Sequence, residues 1–283
     1  MAADAFLKFE GFEGTTHKLG NDFDRLGDSF SDLGGAFIKL VDGVSSTDVN
    51  FFKADLAAHI KHDVFTVGDD FFKIGQEFLK LTGPLDTFGD AVVNFTDQFL
   101  KLTPSSESEN PPSFATDFLK FETHLKASGL DFLGAASDFK AGSTENLSLT
   151  FNKIAIDYQN QSDDALKLSE DFGDFVKISG ISESSKVGEA FLKITLETVV
   201  ISSADLKLST DFQKISTDIA EASDSGPIKL DQVVLKYSDD FVKLAQDLKF
   251  ADGAFAALGG DFVKLAEAIE HPGPTTVPTI TKS

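Results

Sequence analysis

The chain contains no cysteine, no tryptophan, one methionine and only two tyrosines. The absence of cysteine excludes disulfide bonds, thiolate metal sites and cysteine-dependent catalysis. No stretch approaches the roughly 18 consecutive apolar residues that a membrane-spanning helix needs. The first residues, MAADAFLKFEGFEG, lack the basic start and the continuous apolar stretch of a signal peptide. The sequence therefore favours the cytoplasm, and export without a cleaved signal peptide stays open.

Positive charge is also scarce, because 25 Lys and Arg residues oppose 46 Asp and Glu residues and leave a net charge of −21. Nucleic-acid phosphates need clustered basic residues, and anionic membranes attract basic segments. The sequence therefore predicts neither as a partner. It shows no phosphate-binding glycine loop, nucleophile elbow or dinucleotide motif, so we expect no enzymatic activity and no cofactor. His59 and His62 could share a helical face, and Asp55 and Asp63 are near, but no second histidine-bearing motif is evident, so we expect no metal site.

Phenylalanine is the residue in excess, with 29 copies among 283 residues. Much of it belongs to a four-residue phrase, Phe-x-Lys followed by Leu, Ile or Phe, which an acidic residue often precedes. The first residues of the copies are Phe6, Phe37, Phe71, Phe78, Phe99, Phe118, Phe151, Phe175, Phe191, Phe212, Phe241 and Phe262.

The phrases lie within heptads, in which apolar residues alternate spacings of four and three, as in Leu19, Phe23, Leu26 and Phe30. This spacing keeps the residues on one face of a helix, and its persistence over several heptads indicates packed helices. We predict an all-α fold, an elongated antiparallel bundle of about six or seven long amphipathic helices with heptad-type Phe/Leu packing.

Each residue of the phrase has a predicted place on the helix. Phe and the aliphatic residue lie at core positions a and d, and Lys pairs weakly on the surface with the preceding Asp. The residue between Phe and Lys is usually apolar, which indicates contact with two neighbouring helices or with something outside the fold. The residue after the phrase is usually small, as at Gly75, and Gly20, Gly27 and Gly34 occupy the same slot. Because glycine costs a helix about 1 kcal/mol relative to alanine, we expect a neighbouring helix to approach closely there, with its Phe over the small residue.

The predicted packing and interaction stripe comprises Phe37, Phe71, Phe72, Phe78, Phe99, Phe118, Phe175, Phe191, Phe212, Phe241 and Phe262.

Glycine and proline mark predicted breaks within the heptads. We expect a kink or a tight turn at Gly83-Pro84 and a turn at Ala141-Gly142-Ser143-Thr144, whereas the last heptad series continues from Leu230 to Ile269.

Proline and serine also mark the predicted domain boundaries. Residues 1–103 are expected to form an N-terminal helical segment, and residues 104–112 a Pro/Ser/Glu-rich linker. Residues 113–270 are expected to form a C-terminal helical bundle, and residues 271–283 a disordered tail. A single bundle over 1–270 is the alternative.

Three functions remain open. The first is a structural or scaffold protein that associates with itself or with another helical protein. The second is an amphipathic coat on an apolar particle surface, such as a lipid droplet or a polyester granule. In their repeated amphipathic helices, the predicted segments resemble granule-coating phasins and apolipoproteins, a likeness of architecture that implies such a coat. The third is an exported acidic helical protein.

Overall fold

The computed structural model of the protein describes residues 12–45, 53–102, 114–179, 181–224, 226 and 228–271. Within these ranges, the backbone alone is described at 12, 53–58, 93–102, 114–115, 178–179 and 224. The predicted linker at 104–112 lies outside the described residues, and so does the predicted tail apart from His271.

The described residues form seven helices and no strand, which confirms the predicted all-α bundle. Six of the helices are long, and the longest has 50 residues and extends about 75 Å at the usual helical rise. The helices are α1 (Phe12–Ser45), α2 (Lys53–Leu102), α3 (Phe114–Ala141), α4 (Thr144–Ser179), α5 (Lys186–Asp224), α6 (Leu230–Lys236) and α7 (Ser238–Glu270).

Local residues account for two of the helix ends. Gly142, with a φ of 64°, follows the last residue of α3 and provides the left-handed conformation that commonly ends a helix. The hydroxyl of Ser185 accepts a 3.0 Å hydrogen bond from the backbone N–H of Gly188 and so caps the start of α5. Both turns fall where the heptads stop.

The structure differs from the sequence prediction at two points. The predicted kink or turn at Gly83-Pro84 is not a turn, because α2 continues through Pro84. The last heptad series, predicted as one helix, is interrupted at Tyr237, whose φ of −116° and ψ of 33° separate α6 from α7.

The six long helices form a closed ring in chain order. Each of α1 to α4 contacts the helix that follows it, α5 contacts α7, and α7 contacts α1. The ring therefore closes between the first and last long helices. The short α6 lies against α1, α5 and α7.

At two of these helix contacts, α1–α7 and α2–α3, glycine brings the helix backbones close together. A Cβ atom on Gly20 of α1 would lie 2.6 Å from the carbonyl oxygen of Gly259 of α7, and one on Gly34 would lie 2.9 Å from that of Ala245. Between α2 and α3, a Cβ atom on Gly75 would lie 2.7 Å from the carbonyl oxygen of Gly129. The predicted close approach at the small residues is confirmed, but here the partner is another helix's backbone rather than a Phe ring.

Serine hydroxyls connect the backbones of α4 and α5. The hydroxyls of Ser148 and Ser216 each donate a 2.8 Å hydrogen bond to the other's carbonyl oxygen. Seven residues along, Ser209 donates to the carbonyl oxygen of Ala155 at 2.7 Å. From one contact to the next, the residue numbers rise on α4 and fall on α5, so the two helices are antiparallel.

Phenylalanine from all six long helices fills the core. Phe71 of α2 has ring-centroid separations of 5.7 Å to Phe37 of α1 and 5.2 Å to Phe139 of α3. On α5, Phe212 lies 5.1 Å from Phe151 of α4. These are favourable tilted, stacked and edge-to-face distances. The sixth long helix, α7, completes this layer of rings with Phe241, which lies 5.5 Å from Phe37.

Candidate functional site

Most of the predicted stripe lies inside the bundle. Phe72 is the exception among the described side chains, with 49% of its surface exposed. The side chain of Phe99 lies outside the described residues. The buried members are Phe37, Phe71, Phe78, Phe118, Phe175, Phe191, Phe212, Phe241 and Phe262.

The apolar residue between Phe and Lys varies in its surroundings. It is exposed at Ile38, Phe72 and Leu119, but buried at Val176. The wide apolar face inferred from the sequence therefore reaches the outer surface of α1, α2 and α3. Side chains of this kind are available to a partner without any change in the core.

A second outward apolar surface lies on α4 and α5, and we call Leu166, Val199 and Leu206 the α4–α5 patch. These side chains are 46%, 43% and 47% exposed. Leu166 lies one turn beyond Ser162 on α4, and Val199 lies one turn before Ser202 on α5. Since the hydroxyls of Ser162 and Ser202 are 2.9 Å apart, the two apolar residues lie at the same level of the helix pair.

Sequence reasoning missed this patch because it defined the phrase by its Phe. Leu166 and Leu206 each occupy the second place of a four-residue phrase whose last three residues are Leu-Lys-Leu. The first residue of the phrase is Ala165 or Asp205 instead of Phe. A search with the first position left open would have found both.

Asp205 occupies a core position that Phe holds elsewhere in the helix. It is fully buried on α5, and neither carboxylate oxygen has a hydrogen-bond partner. Burial raises its pKa well above the ordinary value. The hydroxyl of Tyr158, also fully buried, lacks a partner as well. The bundle thus contains a buried carboxyl group without a hydrogen-bond partner, and burial favours its protonated form.

A pair of carboxyl groups joins α3 to α4. Burial, followed by the charge of Asp131 and a hydrogen bond to it, raises the pKa of Asp157 to about 7. Burial also raises the pKa of Asp131. The two groups therefore share a proton at acidic pH. Lys153 lowers both pKa values through its charge and opposes the effect.

The acidic residue before the phrase forms the predicted surface pair at Asp174, whose carboxylate lies 2.9 Å from the exposed Lys177 ammonium, but elsewhere it is often buried. Asp70, Asp117 and Asp261 are buried, although each keeps the expected contact with the Lys three residues later. The Lys73 ammonium lies 2.8 Å from Asp70. Burial raises the pKa of Asp70, and the hydrogen bond from Lys73 lowers it. The pairs thus join a core-edge carboxylate to an exposed ammonium.

A cleft of about 500 Å³ opens at one end of the bundle, where α2, α3 and α6 meet. Its apolar lining includes Val64 and the half-exposed Phe65 of α2, the buried Phe139 of α3, and Leu230 of α6. The hydroxyl of Thr144 donates a 3.4 Å hydrogen bond to the carbonyl oxygen of Ile228 and holds the segment before α6 in place. No sequence signal joins these three segments.

The described residues include no group of three or more His, Asp or Glu side chains placed to hold a metal ion. Both candidate histidines, His59 and His62, are exposed on α2. Of the helices as far as they are described, none has the length and apolar character to cross a membrane.

Comparisons with protein-family models, with curated proteins and with solved structures each found no match. The chain's own geometry therefore carries the functional argument.

Proposed function

We propose that the protein is a non-enzymatic structural or scaffold protein that associates with copies of itself through outward apolar side chains. The observation that carries this proposal is the α4–α5 patch. Its three half-exposed aliphatic side chains lie beside a hydrogen-bonded helix pair, where burial against a second copy would remove apolar surface from water.

Charge sets the conditions for this association. The net charge of −21 repels two copies from one another. Salt screens that repulsion, since the Debye length falls from about 30 Å at 0.01 M to about 3 Å at 1 M ionic strength. Association through the patch therefore strengthens as salt is added, whereas association through surface ion pairs weakens.

Sedimentation velocity over a series of salt concentrations tests the proposal. We expect the wild-type protein to form larger species as salt rises. The variant Leu166→Ser/Val199→Ser/Leu206→Ser should remain monomeric. The matched control Ile38→Ser/Leu119→Ser/Leu235→Ser removes three exposed apolar side chains from three other helices and should associate like wild type. A wild-type protein that stays monomeric at every salt concentration contradicts the proposal.

The alternative function is an amphipathic coat on a lipid droplet or a polyester granule. One observation favours it: the six long helices are organised as three pairs with backbone contact, α1–α7, α2–α3 and α4–α5. Separation between pairs would turn the Phe faces toward an apolar surface and leave each pair intact. The acidic outer surface would then keep coated particles apart.

A disulfide lock between two pairs tests the alternative. The hydroxyl of Thr150 on α4 donates a 2.8 Å hydrogen bond to Asp138 on α3, so these side chains meet between two of the pairs. We choose these positions for the two cysteines, and thiol titration checks that the disulfide has formed. The wild-type chain has no other thiol. A coat that opens should float with a neutral-oil emulsion when the Asp138→Cys/Thr150→Cys variant is reduced, and remain in solution when it is oxidised. Absence of flotation in both states removes the alternative.

A further inference from the structure

The cleft between α2, α3 and α6 has a positive rim on an acidic protein. Lys61, Lys140 and Lys229 line it together with a single acidic residue, Asp231. The Lys140 ammonium is already paired with Asp69 at 2.6 Å. Lys61 and Lys229 are exposed.

A second cleft, between α5 and α7, provides the comparison. It is lined by three lysines and three glutamates, so its charges balance. The lysines are Lys186, Lys193 and Lys264, and the glutamates are Glu189, Glu267 and Glu270. The excess of lysine in the first cleft is therefore not a general property of the clefts on this protein.

Positive charge and apolar surface lie side by side in the first cleft. The Lys61 ammonium is 5.9 Å from the centre of the Phe65 ring, and that ring is 40% exposed. Val64 and Leu230 extend the apolar wall. A ligand that fits this arrangement has an apolar body and an anionic end.

We propose that the cleft binds an amphiphile with one anionic head group and an apolar chain, such as a medium- or long-chain carboxylate. The head group lies between Lys61 and Lys229, and the apolar chain lies along Val64 and Phe65. The cleft volume is within the range of small-molecule sites, about 300 to 1,000 Å³. An acidic amphipathic helix is disfavoured because it would need a groove several turns long. This inference is independent of self-association, since the cleft and the α4–α5 patch share no residue.

Isothermal titration of the full chain with decanoate tests the proposal, with decan-1-ol as the uncharged ligand of the same chain length. We expect one saturable site for decanoate and weaker binding of decan-1-ol. Lys61→Ala/Lys229→Ala should weaken decanoate binding about tenfold, at roughly threefold for each exposed charge contact. It should leave decan-1-ol binding unchanged. Phe65→Ser should weaken binding of both ligands.

The control variant is Lys193→Ala, which removes a lysine from the charge-balanced cleft and should leave both titrations unchanged. Circular dichroism of every variant checks that helicity is retained. The proposal is overturned if decanoate shows no saturable binding or if decan-1-ol binds equally well. It is also overturned if Lys193→Ala weakens decanoate binding as much as the double variant does.

Discussion

Replacement of Asp205 by leucine should stabilise the protein. The two side chains have the same branched shape, so the substitution leaves the surrounding Phe and Tyr rings in place. Asp205 is fully buried with both oxygens unpartnered. An unsatisfied buried polar group costs about 1–3 kcal/mol, and burial of a leucine side chain contributes about 1.5–3 kcal/mol. Because packing around the new methyl groups is not ideal, we expect a gain of about 2–5 kcal/mol in the free energy of unfolding near neutral pH.

The pH dependence of this gain has a defined sign. The folded pKa of Asp205 lies well above its ordinary value of 3.8, so its contribution to stability is fully present below that value. That contribution is lost as the pH rises toward the folded pKa, because the unfolded chain ionises first. The advantage of Asp205→Leu over wild type should therefore be larger near neutral pH than near pH 4.

Urea denaturation followed by circular dichroism, at neutral and acidic pH, measures the effect. Asp205→Asn is the matched control, since it has the same shape and no charge but remains polar. Its gain should be smaller than that of leucine at neutral pH and should vanish near the ordinary pKa of aspartate. A leucine variant that is less stable than wild type at neutral pH would refute the reasoning, because it would show that the carboxyl group has a stabilising partner.

Three further predictions follow from the packing. Gly35→Ala should stabilise the protein by about 0.5–1 kcal/mol, as expected for an unobstructed helical glycine. Nothing lies within 4 Å of a Cβ atom at Gly35. Gly34→Ala should destabilise the protein in the same urea experiment, because its Cβ atom would lie 2.9 Å from the carbonyl oxygen of Ala245. Equal effects would contradict the close α1–α7 contact. The raised folded pKa of Asp157 should make its contribution to stability fall as the pH rises from about 4 to about 7, and Asp157→Asn should remove this decline. An unchanged slope in urea denaturation at several pH values would count against a shared proton with Asp131. A fragment of residues 113–270 should lack cooperative thermal unfolding. It lacks α2 and therefore the contact between the Phe71 and Phe132 rings. A cooperative transition measured by calorimetry would support two separate bundles.

The sequence was most informative about where helices form and least informative about which helices pack against each other. The heptads and the turn around Gly142 are local features, and the structure agrees with them. The turn expected at Pro84 is absent because the long α2 accommodates the proline, and the surrounding packing overrides its local preference. The close approach at Gly20 followed from the cost of glycine in a helix, but its partner Gly259 is on the last helix. Such a pairing is a tertiary property that no local pattern contains.

Buried carboxyl groups were the other feature that the sequence did not predict. Carboxylates ordinarily lie on the surface, so the sequence predicts exposure for Asp70 and gives no expectation of a buried Asp205, yet both are buried. The heptad position of Asp205, in the place of a core Phe, was the available signal. The cleft at Phe65 depends on three helices that the chain brings together only on folding.

Hydrogen exchange on the protein at high salt, read by mass spectrometry, tests the central claim most directly. The claim is that copies associate through outward side chains while the Phe core stays closed. We predict that backbone amides around Phe71 on α2 keep the protection of the low-salt monomer, while amides around the α4–α5 patch become more protected. Faster exchange around Phe71 on association would contradict the account, because it would show that the bundle opens.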